Sequence, residues 1–123
     1  MSLFLDSYAI VEMARDTPSY DFVEDEEVAT SALNLLEAYY VLSDAGEEPL
    51  ALHVFKELYP VAADLPKELI PEIARFRLSK KGATGRRFSY ADAAGYVYAQ
   101  DRGHEFLTGA HEFEGFEGVR FVR

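Results

Sequence analysis

The chain has 123 residues, no cysteine and a formal net charge of −10, and 49% of its residues are hydrophobic. This length and composition predict one folded domain with a hydrophobic core rather than a disordered chain. The lack of cysteine excludes disulfide scaffolds, thiolate metal sites and cysteine nucleophiles. Because the sequence shows no basic leader and no long apolar run, a soluble cytoplasmic protein without a membrane span is expected.

The charges are distributed unevenly along the chain. Six of the twelve basic residues fall within positions 75–87, namely Arg75, Arg77, Lys80, Lys81, Arg86 and Arg87. No acid occurs between Glu72 and Asp92. The net charge argues against loose nucleic-acid binding, which depends on phosphate neutralisation. The basic segment is therefore either an ordinary solvated face or a surface for an anionic ligand, and the sequence favours neither.

In chain order, the predicted elements alternate between short strands and helices. Strands are predicted over 2–5, 27–30, 61–65, 105–109 and 119–122. Helices are predicted over 7–16, 18–27, 31–46, 47–60, 66–82 and 89–103, with Ser31 as an N-cap, Gly46 as a terminator and Pro71 as a limit or kink. This alternation is typical of βαβ units and of a parallel sheet covered on both faces.

Two acids stand beside the ends of predicted elements. Asp6 follows the first strand, and sites in open α/β sheets form outside the carboxyl ends of strands. Taken alone, however, Asp6 fits better as a helix N-cap, where aspartate is favoured. Asp92 lies three residues after Ser89, so "SYAD" has the form of a capping box. Small residues on the same helical face, including Gly95, would leave room for another group to approach.

Glu37 is an unusual residue in the apolar segment "NLLEAYYVL". The helix looks apolar nearly all round, which predicts burial. A buried carboxylate needs a cation, a metal or hydrogen-bond donors. One explanation is a buried ion pair with Arg15 or Lys56, and the other is a functional site shared with Asp6 and Asp92. Clustered carboxylates repel one another unless a cation lies between them, and oxygen-only ligands favour Mg²⁺ or Mn²⁺.

The combination of these acids resembles the PIN-domain family of metal-dependent ribonucleases, particularly the small VapC-like toxins. The matching segments are "FLDSYAIV", "TSALNLLEAYYVL", "FSYADAAGYVYAQDRGHEFLTG" and "FEGFEGVRFV", which together span nearly the whole chain. The resemblance implies a PIN-like three-layer α/β sandwich, in which helices flank a short parallel five-stranded sheet. Residues 1–123 would form a single PIN-like domain.

The resemblance also implies a site. Asp6, Glu37 and Asp92 would be the catalytic residues and the ligands of Mg²⁺ or Mn²⁺, and RNA phosphodiester bonds would be hydrolysed. Ala110 stands where the family often has a further acid, so Glu112 either reaches into the site or is a surface acid, with the surface preferred. His111 is expected on the surface. Ser7, Asn34 and Thr108 would supply neutral oxygen atoms to the site or donate hydrogen bonds to the metal-binding carboxylates.

RNA and protein partners follow from the same resemblance. Lys80, Lys81, Arg86 and Arg87 would contact the RNA backbone. A toxin of this kind implies an antitoxin protein and a homodimer. Exposed aromatic residues that could contact either partner are expected among Tyr39, Tyr40, Phe55 and Tyr59. For at least half of these four, ordinary core packing is the preferred explanation. The alternative function is a degenerate PIN domain that binds RNA or protein without cleavage, and Ala110 is the reason to consider it.

Overall fold

The computed structural model describes residues 2–123 and contains one five-stranded sheet. Its strands are β1 (Leu3–Leu5), β2 (Val28–Ser31), β3 (Ala62–Ala63), β4 (Glu105–Thr108) and β5 (Val119–Phe121). The order is β3-β2-β1-β4-β5, and every pair of neighbouring strands is parallel. The predicted parallel five-stranded sheet is confirmed, and its central strand β1 is the one that leads to Asp6.

Five α-helices connect and cover the strands. They are α1 (Ser7–Ala14), α2 (Ala32–Asp44), α3 (Glu48–Leu58), α4 (Ile70–Ser79) and α5 (Tyr90–Arg102). Shorter 3₁₀ helices lie at Pro18–Asp25, Tyr59–Val61, Lys67–Leu69 and His111–Phe113. Pro71 lies in the first turn of α4, where a missing N–H breaks no helical hydrogen bond. It therefore starts this helix and does not kink it.

The sheet separates two hydrophobic clusters. Side chains of successive strand residues point to opposite faces, so Leu3 and Leu5 join one cluster and Phe4 joins the other. The first cluster receives residues from α1, α2 and α3, whereas the second is built on α4, α5 and several aromatic rings. In the second, the ring centroids of Phe88 and Phe113 are 4.5 Å apart. The three-layer arrangement is the one that the sequence predicted.

The prediction that the helix around Glu37 is buried on nearly all sides is wrong. Leu36 and Tyr40 on α2 are each 66% exposed. The helix packs through Leu35, Ala38 and Leu42, which belong to the first hydrophobic cluster, and the opposite face has no covering element within residues 2–123. In that described part of the chain, no helix has the length and apolar character that crossing a membrane requires.

Candidate functional site

Asp6 lies at the carboxyl edge of the sheet, directly after the central strand. Its side chain is 1% exposed. The oxygen Oδ1 accepts a hydrogen bond of 2.8 Å from the backbone N–H of Ala9, so Asp6 is the N-cap of α1. The hydroxyl of Thr108, at the end of β4, also contacts this carboxyl. The N-cap and the strand-end position are both confirmed, and they hold the carboxyl in one orientation.

The Asp6 carboxyl is in an unfavourable place for a negative charge. Burial raises its pKa from 3.8 to about 7. The hydrogen bonds from Thr108 and Ala9 oppose this rise, whereas the negative charges of Asp92 and Glu37 add to it. Coulomb repulsion weakens as the distance between two charges grows. The structure therefore brings Asp92 and Glu37 into the neighbourhood of Asp6.

Asp92 occupies the first turn of α5 and forms the predicted capping box. Its N–H donates to Ser89 Oγ at 3.0 Å, and its own Oδ2 accepts from the Ser89 N–H at 3.2 Å. The side chain is half-buried. Burial raises the Asp92 pKa, and the charges of Glu37 and Glu112 raise it further. Asp92 is thus a structural cap whose carboxyl also interacts with two other acids.

Glu37 is half-buried on α2, and the ion-pair explanation for it fails. Arg15, one of the two predicted partners, instead pairs with Glu47, with Nη2 and Oε1 2.6 Å apart. Within residues 2–123, no lysine, arginine or histidine forms an ion pair with Glu37, Asp6 or Asp92. These acids therefore repel one another without a basic side chain to offset their charge.

Asn34 connects the helices that carry the three acids. Its amide oxygen accepts from Ser31 Oγ at 2.6 Å, and its amide nitrogen donates to Ser7 Oγ at 3.2 Å. Gly95 of α5 lies against the same amide, since a Cβ at this position would be 2.6 Å from Asn34 Oδ1. The room that the small residues beside Asp92 provide is therefore filled by Asn34. Through it, α1, α2 and α5 are fixed relative to one another.

The segment after β4 contains Ala110 and Glu112. Ala110 donates its N–H to Thr108 Oγ1 at 3.0 Å and brings no ligand. Glu112 is half-buried, and its charge raises the Asp92 pKa. Its place among the metal ligands or on the surface stays a prediction. His111 is exposed, as predicted.

The predicted RNA-contacting residues belong to the loop between α4 and α5, which we call the basic loop (residues 80–87). Lys80, Lys81, Arg86 and Arg87 are all exposed. The loop is held by backbone hydrogen bonds, because Gly82 donates to the Arg86 carbonyl at 2.8 Å and Ala83 donates to the Glu112 carbonyl at 2.9 Å. No pattern in the sequence predicts this second contact, which joins the loop to the segment that carries Glu112.

The acids do not form a finished metal site in the structure. Across residues 2–123, no three histidine, aspartate or glutamate side chains are arranged so that they could hold a metal ion together. The donor chemistry nevertheless suits Mg²⁺ or Mn²⁺, because both ions prefer carboxylate oxygens. Binding would require the carboxylates of Asp6, Glu37 and Asp92 to close around the ion. The metal and its ligands therefore stay a prediction.

The fold, in contrast, has clear counterparts among solved structures. No family model and no curated protein matches the sequence. The sarcin–ricin-loop-cleaving toxin VapC20 of Mycobacterium tuberculosis is 17% identical, with a TM-score of 0.73, over 97% of this chain and 99% of that chain. A toxin–antitoxin complex from Klebsiella pneumoniae is 15% identical, with a TM-score of 0.73, over 98% of this chain and 96% of that chain.

A third similar structure is a member of the VapBC family of toxin–antitoxin systems, VapBC-5 of Mycobacterium tuberculosis. It is 19% identical, with a TM-score of 0.64, and the match covers 100% of this chain and 99% of that chain. At these identities the likeness concerns the fold. Together with the sheet order and the flanking helices, it leads to one conclusion: the chain has the fold of a VapC-like PIN domain.

Proposed function

We propose that the protein is a Mg²⁺- or Mn²⁺-dependent endoribonuclease and the toxin of a toxin–antitoxin pair. One observation carries this proposal: Asp6 is buried at the carboxyl edge of the sheet, and Asp92 and Glu37 repel it without a basic partner in residues 2–123. A divalent cation would remove that repulsion. The fold shared with a sarcin–ricin-loop-cleaving toxin supports RNA as the substrate class.

Each residue of the site would have a specific role in this activity. Asp6, Glu37 and Asp92 would hold the cation, and Glu112, whose charge acts on Asp92, is a further candidate ligand. When bound, a divalent cation supplies an activated water and neutralises charge on a scissile phosphate. Ala9 and Thr108 would keep the Asp6 carboxyl in place by their hydrogen bonds. The basic loop would offset the repulsion between RNA and a chain of net charge −10.

An antitoxin would have a suitable apolar surface on this fold. A groove of about 560 Å³ lies between α2, α3 and β3. Its lining consists of Ala32, Leu35, Leu36, Tyr39, Leu52, Phe55, Tyr59, Ala62 and Asp64. The Klebsiella pneumoniae structure with the same fold is a toxin–antitoxin complex. We assign the groove, together with exposed Tyr40 beside it, to protein partners: an antitoxin or a second copy of the chain.

The alternative is a PIN domain that binds RNA or protein without cleaving. Ala110 favours it, because alanine contributes no oxygen ligand where the resemblance implies an acid. Glu112 weighs against it, since its charge acts on Asp92. Whether a metal binds separates the two functions, because a non-cleaving pocket has no need of one.

The decisive experiment is cleavage of total RNA in the presence of Mg²⁺, Mn²⁺ or EDTA. We expect cleavage with either ion and none in EDTA. Asp6→Asn and Asp92→Asn should lose at least about 10²-fold in rate, which is the scale of losing a metal ligand or its support. Asp101→Asn, an exposed acid on the same helix as Asp92, is the matched control and should cleave normally. Undiminished cleavage by both site variants would refute the assignment.

A further inference from the structure

Arg123 lies at the same edge of the sheet as Asp6. It follows β5, which ends at Phe121 and is parallel to β4. The carboxyl ends of parallel strands share one edge, and Thr108 at the end of β4 contacts the Asp6 carboxyl. The segment before Arg123 is packed against Tyr8 of α1 and the residue after Thr108, because a Cβ at Gly109 would be 2.3 Å from the Tyr8 ring and 2.4 Å from the Val122 carbonyl.

The Arg123 guanidinium is held by Tyr8 and His111. Its Nε donates to the hydroxyl of Tyr8 at 3.2 Å, and its carbon lies 5.4 Å from the centre of the Tyr8 ring. Its Nη1 contacts Nε2 of His111. Nδ1 of His111 is in turn 3.2 Å from Oε1 of Glu114.

The arrangement leaves Arg123 with an unused charge and an unused donor edge. Its third guanidinium nitrogen, Nη2, meets no acceptor in residues 2–123, and no carboxylate there pairs with it. Three other arginines do pair with a carboxylate: Arg15 with Glu47, Arg102 with Asp101 and Arg120 with Glu105. A guanidinium held at two nitrogens and open at the third matches the geometry of a phosphate oxygen.

We infer that Arg123, held by Tyr8 and His111, forms a phosphate-binding site for the RNA backbone beside the acidic pocket. This inference rests on the proposed function. The site lies on the β4–β5 side of Asp6. His111, which holds Arg123, is the chain neighbour of Glu112, whose carbonyl accepts from Ala83 of the basic loop. Arg123 and the basic loop would then bind phosphates of the same RNA strand beside the acids.

Binding of a short fluorescein-labelled single-stranded RNA in EDTA tests the site without cleavage. Arg123→Gln should weaken binding about tenfold, at the lower end for a hydrogen bond to a charged group. It should also reduce the slope of log K against log salt by about 0.7, the value for one lost contact to a single strand. Arg123→Lys should keep the slope and lose part of the affinity. Tyr8→Phe, which removes only the hydroxyl, should weaken binding less than Arg123→Gln.

Arg102→Gln is the matched control. Arg102 also stacks on a tyrosine, 5.2 Å from the centre of the Tyr98 ring, but it lies at the end of α5, before β4 begins. The Arg102→Gln substitution therefore removes the same charge at the opposite edge of the sheet. It should leave the RNA affinity and the slope of log K against log salt unchanged. Wild-type behaviour of Arg123→Gln, or equal losses in both arginine variants, overturns the site. If the wild type neither binds nor cleaves RNA, the proposed function itself fails, and this inference fails with it.

Discussion

The Asp6 carboxyl shows why individual residues at this site serve two purposes. The same side chain caps α1 through Ala9 and stands in a place that raises its pKa to about 7. A cap by itself would be stabilised by exposure to water and by the helix dipole. Burying the Asp6 carboxylate beside two further acids costs free energy. This cost indicates that a role other than helix capping accounts for the position of Asp6.

The pH dependence of stability should reveal this cost. Because the folded pKa of Asp6, about 7, lies above its ordinary 3.8, the folded state holds the proton more tightly than the unfolded state between these values. In EDTA, the free energy of unfolding of the wild type, relative to that of Asp6→Asn, should therefore fall as the pH rises from 4 to 7. Above pH 7 this difference should stay constant. The full change is on the order of 4 kcal/mol. Urea unfolding of both proteins across this range measures it.

Asp101→Asn is the control for that comparison, because Asp101 is exposed. The difference in stability between this variant and the wild type should stay nearly constant from pH 5 to pH 8. A wild type whose stability relative to Asp6→Asn rises with pH would contradict the raised pKa.

At the level of elements, the sequence predicted what short-range patterns encode. The order of strands and helices, the Ser31 and Asp6 caps and the capping box at Ser89 are local features, and the structure confirms them. Burial of α2 was predicted wrongly because hydrophobicity does not say whether a covering element exists within the chain. The predicted strand at 61–65 shortens to Ala62–Ala63 because Tyr59–Val61 forms a 3₁₀ turn. The contact between the basic loop and Glu112 joins residues distant in sequence.

That contact gives Gly82 a specific role. A Cβ at Gly82 would lie 2.7 Å from Glu112 Cβ and 2.9 Å from its Cα and carbonyl oxygen. Gly82→Ala should therefore push the basic loop away, at a cost of about 1–3 kcal/mol in stability. RNA binding in EDTA should weaken, and the salt slope should fall by about 0.7 for each phosphate contact that is lost. Fluorescence anisotropy at several salt concentrations measures both.

Gly46→Ala separates the loop effect from a general loss of stability. Gly46 has φ of +80°, and an added Cβ there meets nothing within 4 Å. The change strains the α2–α3 turn by about 1–2 kcal/mol, with no contact to the basic loop. Gly46→Ala should lose stability and keep its RNA affinity. Equal RNA affinities for the two glycine variants would show that the Gly82 contact does not position the loop.

The whole molecule combines a strongly acidic surface with two local exceptions. One is the basic loop, and the other is the apolar groove between α2 and α3, bordered by Leu36, Tyr40 and Tyr59, each at least 66% exposed. Exposed apolar surface of this kind marks contacts with other proteins. The groove lies along α2, the helix that also carries Glu37.

Self-association is the part of this partner assignment that can be tested on the protein alone. Sedimentation of the wild type should give a dimer, and Leu36→Glu should give a folded monomer, because the new charge would be buried in the interface. Leu78→Glu is the control, since Leu78 is 69% exposed but lies outside the groove. A Leu36→Glu dimer as stable as the wild type would assign the groove to the antitoxin alone.

The central claim is that Asp6, Glu37 and Asp92 share one divalent cation, and a Mn²⁺ titration near pH 8 tests it most directly. At that pH the Asp6 carboxyl is ionised, since its pKa is about 7. We expect saturable binding to the wild type, binding at least about tenfold weaker in Glu37→Gln, and unchanged binding in Glu68→Gln, which alters an exposed acid. A wild type with no saturable binding, or a Glu37→Gln variant that binds Mn²⁺ as tightly as the wild type, would contradict the shared site.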